Sequence, residues 1–314
     1  MLRRSARTIV PLAAVTAVAL AACTSSGGSS RSPHPTRAAQ TSTHSTSASP
    51  SRQSSPAPSP ADIRAAARKQ LRAVIAHQPK HGVSVAALDL TTGAKYATGT
   101  RSGMWTASVY KLFVLETLLW QQHGALGGSE ADGAVPMIEQ SDNAEGYELW
   151  EDADGNSGLA AAAKRFGMTH TQAIGTDPTF TRTSAPDLLK LVEVLVDKHG
   201  PLTAPAKKQA LYLMRNVDRD ERWGVSAAAD RGSTFYLKNG WLSIDDSNGP
   251  GEDDGGRWAV NSVGIVTSHH HRLLLAVMTE HQPDFQTGVD LVEKLARLVD
   301  TATTGIPTPA RTKH

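Results

Sequence analysis

Residues 105–119 read Trp105-Thr106-Ala107-Ser108-Val109-Tyr110-Lys111-Leu112-Phe113-Val114-Leu115-Glu116-Thr117-Leu118-Leu119. The apolar residues Leu112, Phe113, Leu115, Leu118 and Leu119 continue a helical pattern that predicts a helix over roughly Ser108 to Gln121. A serine at a helix start holds its hydroxyl near the positive end of the helix dipole. A lysine three residues later lies on the same face, one turn away. An alcohol is a weak nucleophile until a neighbouring base takes its proton. A lysine can be that base if burial and nearby positive charge lower its pKa. Taken alone, the same spacing also describes a capping serine followed by a solvent-facing lysine.

Two further stretches supply what this pair lacks. Ser141-Asp142-Asn143 follows the apolar Met137-Ile138. Its serine can relay a proton, and its asparagine amide can hold the lysine and a substrate amide. Lys238-Asn239-Gly240-Trp241 closes the strand-like run Thr234 to Asn239. This second lysine can bind a carboxylate and depress the first lysine's pKa, and the glycine admits a close backbone approach. Separately, the tripeptide reads as a helix cap and the Asn-Gly step as a hairpin turn. In order, S-x-x-K, S-D-N and K-x-G form the set characteristic of serine β-lactamases and penicillin-binding proteins. The chain resembles that family, class A in character, over Ala61 to Thr301.

The resemblance implies roles. Ser108 would be the acylated nucleophile, Lys111 its proton acceptor and Ser141 a proton shuttle. Asn143, Asn239 and Gly240 would contact substrate, and Lys238 would anchor a substrate carboxylate. The N–H groups of Ser108 and Trp241 would form the oxyanion hole, and Arg257 would be a second carboxylate ligand. The substrate implied is a β-lactam or a cell-wall peptide, with no cofactor and no metal. A slow-deacylating D,D-peptidase-like enzyme is one alternative, and a non-catalytic envelope scaffold or transport-binding protein is another. The five intact residues Ser108, Lys111, Ser141, Asn143 and Lys238 argue against the non-catalytic readings.

Three departures stand out. The interval from Ser108 to Ser141 is short for class A. Asn239 replaces the usual Thr or Ser. The stretch from Arg165 to Thr183 has no glutamate to activate a deacylating water, and only His170 and Asp177 offer bases there.

Outward from the motifs, the apolar pattern predicts a first helix over Ala61 to Gln78 and a hairpin of Gly82 to Leu90 with Lys95 to Thr98. Helices follow near Asn143–Asp152, Gly158–Phe166, Ser184–His199 and Ala204–Met214. Ser184-Ala185-Pro186-Asp187 reads as a capping box. Strands Thr234–Asn239, Trp258–Thr267 and Arg272–Thr279 precede a last helix, Phe285 to Thr301. This order predicts a three-layer α/β/α fold, with an antiparallel sheet built from both chain ends and an all-helical lobe. His269-His270-His271 reads as a hairpin tip rather than a metal tract. The acids Asp245, Asp246, Glu252, Asp253 and Asp254 read as a solvated loop beside the cleft.

Arg3, Arg4 and Arg7 precede an apolar run, Ile9 to Ala22, of about fourteen residues, the length of a signal-peptide core and short of a membrane span. The run ends Leu20-Ala21-Ala22-Cys23, which resembles a bacterial lipobox. The expected organisation is a signal peptide over 1–22, a lipidated Cys23 with a Ser/Thr/Pro-rich tether over 23–60, and an enzyme domain over 61–314. The product would be anchored to the outer face of a bacterial membrane, with a monomer as the default state. Cys23 is the chain's only cysteine, so an internal disulfide is excluded. Six arginines and no acid precede residue 61, so the +2 of the whole chain leaves −4 for the remainder. That sign speaks against nucleic acid as a partner.

Overall fold

The computed structural model describes residues 57–244 and 257–309. The signal-peptide, Cys23 and tether readings, and the acidic loop, lie outside the described residues. Among these, no helix is long and apolar enough to cross a membrane.

Five antiparallel strands form the central sheet: β1 (Val83–Asp89), β2 (Lys95–Gly99), β5 (Tyr236–Ile244), β6 (Arg257–Ser268) and β7 (His271–Gln282). Their order is β2-β1-β7-β6-β5, so β1 from the start of the domain pairs with β7 from its end. Both faces are covered, and β1, β6 and β7 accordingly carry long buried runs. All seven residues of β1 are buried. Alternation sends Val83, Val85 and Ala87 to one core and Ala86 and Leu88 to the other. The first core lies under α1 (Pro60–Ala76) and α8 (Phe285–Thr304), which pack against one another.

The second face carries the helical lobe: α2 (Tyr110–Gln121), α3 (Gly128–Glu139), α4 (Asn143–Asp152), α5 (Gly155–Phe166), α6 (Ala185–Val194) and α7 (Ala204–Arg215). Phe113, Leu115, Leu191 and Met214 of the lobe share one core with Ile265 and Met278 of the sheet. A two-stranded ribbon, β3 (Met104–Trp105) with β4 (Arg182–Thr183), ties the approach to α2 to the segment after α5. The expected three-layer architecture is observed.

Three local readings change. Lys238-Asn239-Gly240 does not end a strand or make a hairpin turn, because β5 runs on to Ile244, paired with β6 throughout. Here cross-strand pairing overrides the turn propensity of Asn-Gly. Helix α3 forms despite Gly128, Gly133 and Pro136, residues that hide it from a propensity reading. Ser184 caps α6 by accepting from the Asp187 N–H, but Asp187 does not reciprocate. Its carboxylate instead accepts from the His170 N–H at 2.6 Å and the Thr171 hydroxyl at 2.9 Å. The reciprocal box is at α1, between Ser59 and Asp62. The histidine tract is a hairpin tip, as expected, with His269 and His270 both at positive φ between β6 and β7.

Candidate active site

Ser108 sits in a short 3-10 turn, Ala107–Val109, that leads into α2, rather than in the α-helix itself. Ala107, just before it, has φ +46°, and Ser141 has φ +57°. Left-handed backbone in residues with a Cβ is disfavoured and concentrates where geometry is imposed by surroundings.

Lys111 lies one turn along, with no exposed surface. Its Nζ meets four oxygens: Asn143 Oδ1 and the Ser141 carbonyl, each at 2.6 Å, Ser108 Oγ at 3.3 Å and Ser141 Oγ at 3.4 Å. A neutral amine has two N–H donors and one lone pair. The two short contacts take both donors, which leaves the lone pair for the Ser108 hydroxyl. Burial lowers the Lys111 pKa to about 8, against the opposing pull of Asp142 and Glu221. Gly146 of α4 makes room for this lysine, since a Cβ there would lie 2.8 Å from Lys111 Cε and closer still to the Tyr110 hydroxyl.

Lys238 reaches the same place from β5. Its Nζ donates to Ser141 Oγ at 2.7 Å and to the Asn239 carbonyl at 2.8 Å. Burial, and then the charge of Lys111, hold its pKa well below the usual lysine range, partly offset by Glu221. Ser141 Oγ therefore stands between two amines. Ser108, Lys111, Ser141 and Lys238 form one continuous chain of polar contacts, assembled from the 3-10 turn, α2, the α3–α4 turn and β5.

Gly240 brings β5 against the serine turn. A Cβ there would lie 2.6 Å from the Val109 nitrogen and 2.9 Å from both the Ser108 nitrogen and the Thr106 carbonyl oxygen. What needs the glycine is thus the chain's own serine turn. Trp241 follows directly, its ring packed with Trp223 and Phe285.

Other expected residues fall elsewhere. The Asn239 side chain is fully buried and points away from the lysines, as strand alternation requires. Its amide donates to the Glu221 carbonyl at 2.7 Å and the Trp223 carbonyl at 3.3 Å. The Asn239 amide thereby staples β5 to the segment Glu221–Trp223. Arg257 is exposed at the start of β6 and donates to the His281 carbonyl of β7 at 3.3 Å, not to the lysine cluster. The exposed His170 lines a cavity with Arg101, Ser184 and Pro186. Asp177 is engaged by the Thr179 N–H and hydroxyl at 2.8 and 2.6 Å and by the Tyr147 hydroxyl.

Glu221 was not visible as a site residue. It is buried beside both lysines, and burial raises its pKa while their charges lower it. Its Oε2 has no hydrogen-bond partner among the described residues. Nothing in the local sequence Asp218-Arg219-Asp220-Glu221 marks the last acid as the buried one.

A family model described as the beta-lactamase enzyme family matches residues 131–302. The chain belongs to the beta-lactamase enzyme family. Solved structures agree on the fold. A structure of PBP-A superposes with a TM-score of 0.63 at 18% identity, covering 76% of this chain and 95% of that one. A beta-lactamase from Chitinophaga pinensis DSM 2588 gives 0.64 at 16% identity, covering 76% of this chain and 100% of that one. In sequence, proteins of Mycobacterium tuberculosis and Mycobacterium bovis that carry the lipoprotein name LppW are 28% identical over 205 residues. The match spans 59% of the length of these curated relatives and 59% of this chain. The chain thus joins a beta-lactamase-family fold to a lysine–serine cluster on the second face of its sheet.

Proposed function

We propose that the chain is a serine acyl-enzyme hydrolase that opens β-lactam amide bonds through Ser108. The observation that carries this reading is the continuous contact chain Ser108–Lys111–Ser141–Lys238. Neutral Lys111 takes the Ser108 hydroxyl proton as Oγ bonds to the amide carbon. The oxyanion that forms is held by the N–H groups of Ser108 and Trp241, each such donor contributing about 10²–10³ in rate. The amide C–N bond then breaks, and the leaving nitrogen receives a proton through Ser141 from the lysine pair. Lys238 faces the substrate carboxylate, and Asn143 steadies both Lys111 and the substrate amide.

Water must then cleave the ester, and here a second reading gains support. Of the two bases of the loop after α5, Asp177 is engaged by Thr179 and Tyr147 and His170 lines a separate exposed cavity. That favours a long-lived acyl-enzyme, as in a penicillin-binding protein whose natural substrate is a cell-wall peptide. A neighbour in structure, a PBP-A variant, is described as an acyl-enzyme complex with penicillin G.

The reading of Cys23 as a lipidated anchor that places the domain outside the membrane is supported by the lipoprotein name of the relatives. Replacing Cys23 with Ala should move the protein from the detergent to the aqueous phase on partition.

A chromogenic cephalosporin mixed with the intact chain tests the activity. A burst of about one equivalent of chromophore followed by slow release, absent in Ser108→Ala, is expected for acylation with slow deacylation. Steady release would make it an efficient β-lactamase. No burst and no release would overturn the proposal.

A further inference from the structure

The turn that carries Ser108 is restrained from beneath by a residue that no motif contains. Asn261 of β6 is fully buried and pairs in register with Gly240. Its Nδ2 donates to the Trp105 carbonyl at 2.8 Å and to the Thr106 carbonyl at 3.1 Å. Its Oδ1 accepts from the Thr279 N–H of β7 at 3.2 Å. That acceptor contact fixes which way the amide points, and both of its ends are used.

The Thr106 carbonyl also accepts from the Val109 N–H at 3.2 Å, closing the turn around Ser108. Between these two points lies Ala107, in the left-handed conformation that a Cβ disfavours. A turn of this kind persists only when its surroundings over-determine it. Two restraints meet it. One is Gly240 pressed against the Ser108 and Val109 nitrogens. The other is the Asn261 amide on the two carbonyls that precede Ala107. The Glu280 carboxylate, accepting from the Trp105 N–H at 2.5 Å, secures the same segment one residue earlier.

We infer that Asn261 is a positioning residue for Ser108: by clamping the Trp105 and Thr106 carbonyls it holds the left-handed turn against β5 and so fixes the Ser108 hydroxyl and N–H. It touches no reacting atom. The inference rests on the reading of Ser108 as the nucleophile.

The test uses the intact chain and benzylpenicillin in single-turnover acylation, where the concentration dependence separates non-covalent affinity from the acylation rate. Hydrogen exchange over residues 104–111 and thermal melting accompany it. Asn261→Ala removes the clamp. Asn261→Asp keeps the shape and the acceptor for Thr279, but a carboxylate cannot donate to two carbonyls. Asn261→Ser restores one donor.

Acylation should slow about tenfold to hundredfold in Asn261→Ala and Asn261→Asp, the scale of a misplacement near 1 Å. Affinity should stay within about threefold of the unchanged chain, on the same reasoning. Exchange over 106–111 should quicken, and Asn261→Ser should fall in between. If a larger change prevents folding, the serine variant carries the test. Unaltered acylation in the folded variants overturns the inference, as does a loss of affinity alone or a loss of rate with unchanged exchange. If the unchanged chain forms no adduct, the nucleophile reading fails instead, and exchange still decides whether Asn261 holds the turn.

Discussion

Lys111 has four oxygens around one nitrogen, and its protonation state decides which of them it serves. As an ammonium it donates to three, and Ser108 gains no base. As an amine it keeps Asn143 and the Ser141 carbonyl and turns its lone pair to Ser108. Acylation should therefore rise with pH up to about 8, where burial places the Lys111 pKa, falling about tenfold per unit below that. A pre-steady-state pH profile of penicillin acylation checks this, and a flat profile from pH 6 to 9 would exclude Lys111 as the base. Lys111→Ala should cost about 10²–10⁴ in acylation rate, the usual contribution of a positioned general base.

The residue pattern around the lysines was legible because S-x-x-K, S-D-N and K-x-G each keep their members within a few positions. Glu221 and Asn261 were not, because their partners lie on other elements. Asn261 meets Trp105 only after β6 has been laid into the sheet, a sequence separation of 156 residues.

Among the elements, β5 and α2 make the sharpest predictions. Gly240→Ala places a methyl 2.6–2.9 Å from backbone atoms of the serine turn, which cannot rotate away as a side chain could. Strand and turn must separate. Overpacking of this kind costs about 1–3 kcal/mol of stability. The acylation rate should fall at least about tenfold through misplacement of Ser108. Denaturant melts and acylation kinetics on the variant measure both, and an alanine variant with unaltered acylation would contradict the close approach.

Helix α2 also buries Glu116 completely, with neither carboxylate oxygen partnered among the described residues. Burial pushes its pKa well above the ordinary value of 4.5. The folded state therefore holds this proton more tightly than the unfolded chain, so the group's contribution to stability is lost as pH rises above about 4.5. Glu116→Leu should raise the unfolding free energy at pH 7 by about 1–3 kcal/mol, the cost of an unpartnered buried polar group. The gain should shrink toward pH 4.5. Denaturation at the two pH values tests it, and equal or lower stability at pH 7 would show that Glu116 has a favourable partner.

The same elements mark the limits of reading by propensity. Helix α3 carries two glycines and a proline and is held by its contacts with α4 and α7, which no local window contains. Asn239-Gly240 carries the signal of a turn, but nine residues of β5 pair with β6. The ladder and the burial of Leu237 and Ile244 outweigh a two-residue preference.

At the scale of the whole molecule, the architecture followed from the order of its patterns. Apolar strands at both ends of the domain, with a long helical middle, fit a sheet closed by β1 against β7 and covered on each face. The site forms where that sheet's last strand, β5, passes the first helix of the lobe. Neither layer alone holds it: the 3-10 turn before α2 supplies Ser108, α2 supplies Lys111, the α3–α4 turn supplies Ser141, and β5 supplies Lys238. The proposed chemistry thus depends on packing between layers, and its central claim is that Ser108 accepts the acyl group.

The most direct test is intact-mass analysis of the full chain after exposure to benzylpenicillin, followed by peptide mapping. A single adduct of the whole penicillin mass on Ser108, missing in Ser108→Ala, is the predicted result. No adduct on the unchanged chain together with no turnover of the drug, or an adduct that persists in Ser108→Ala, would contradict it.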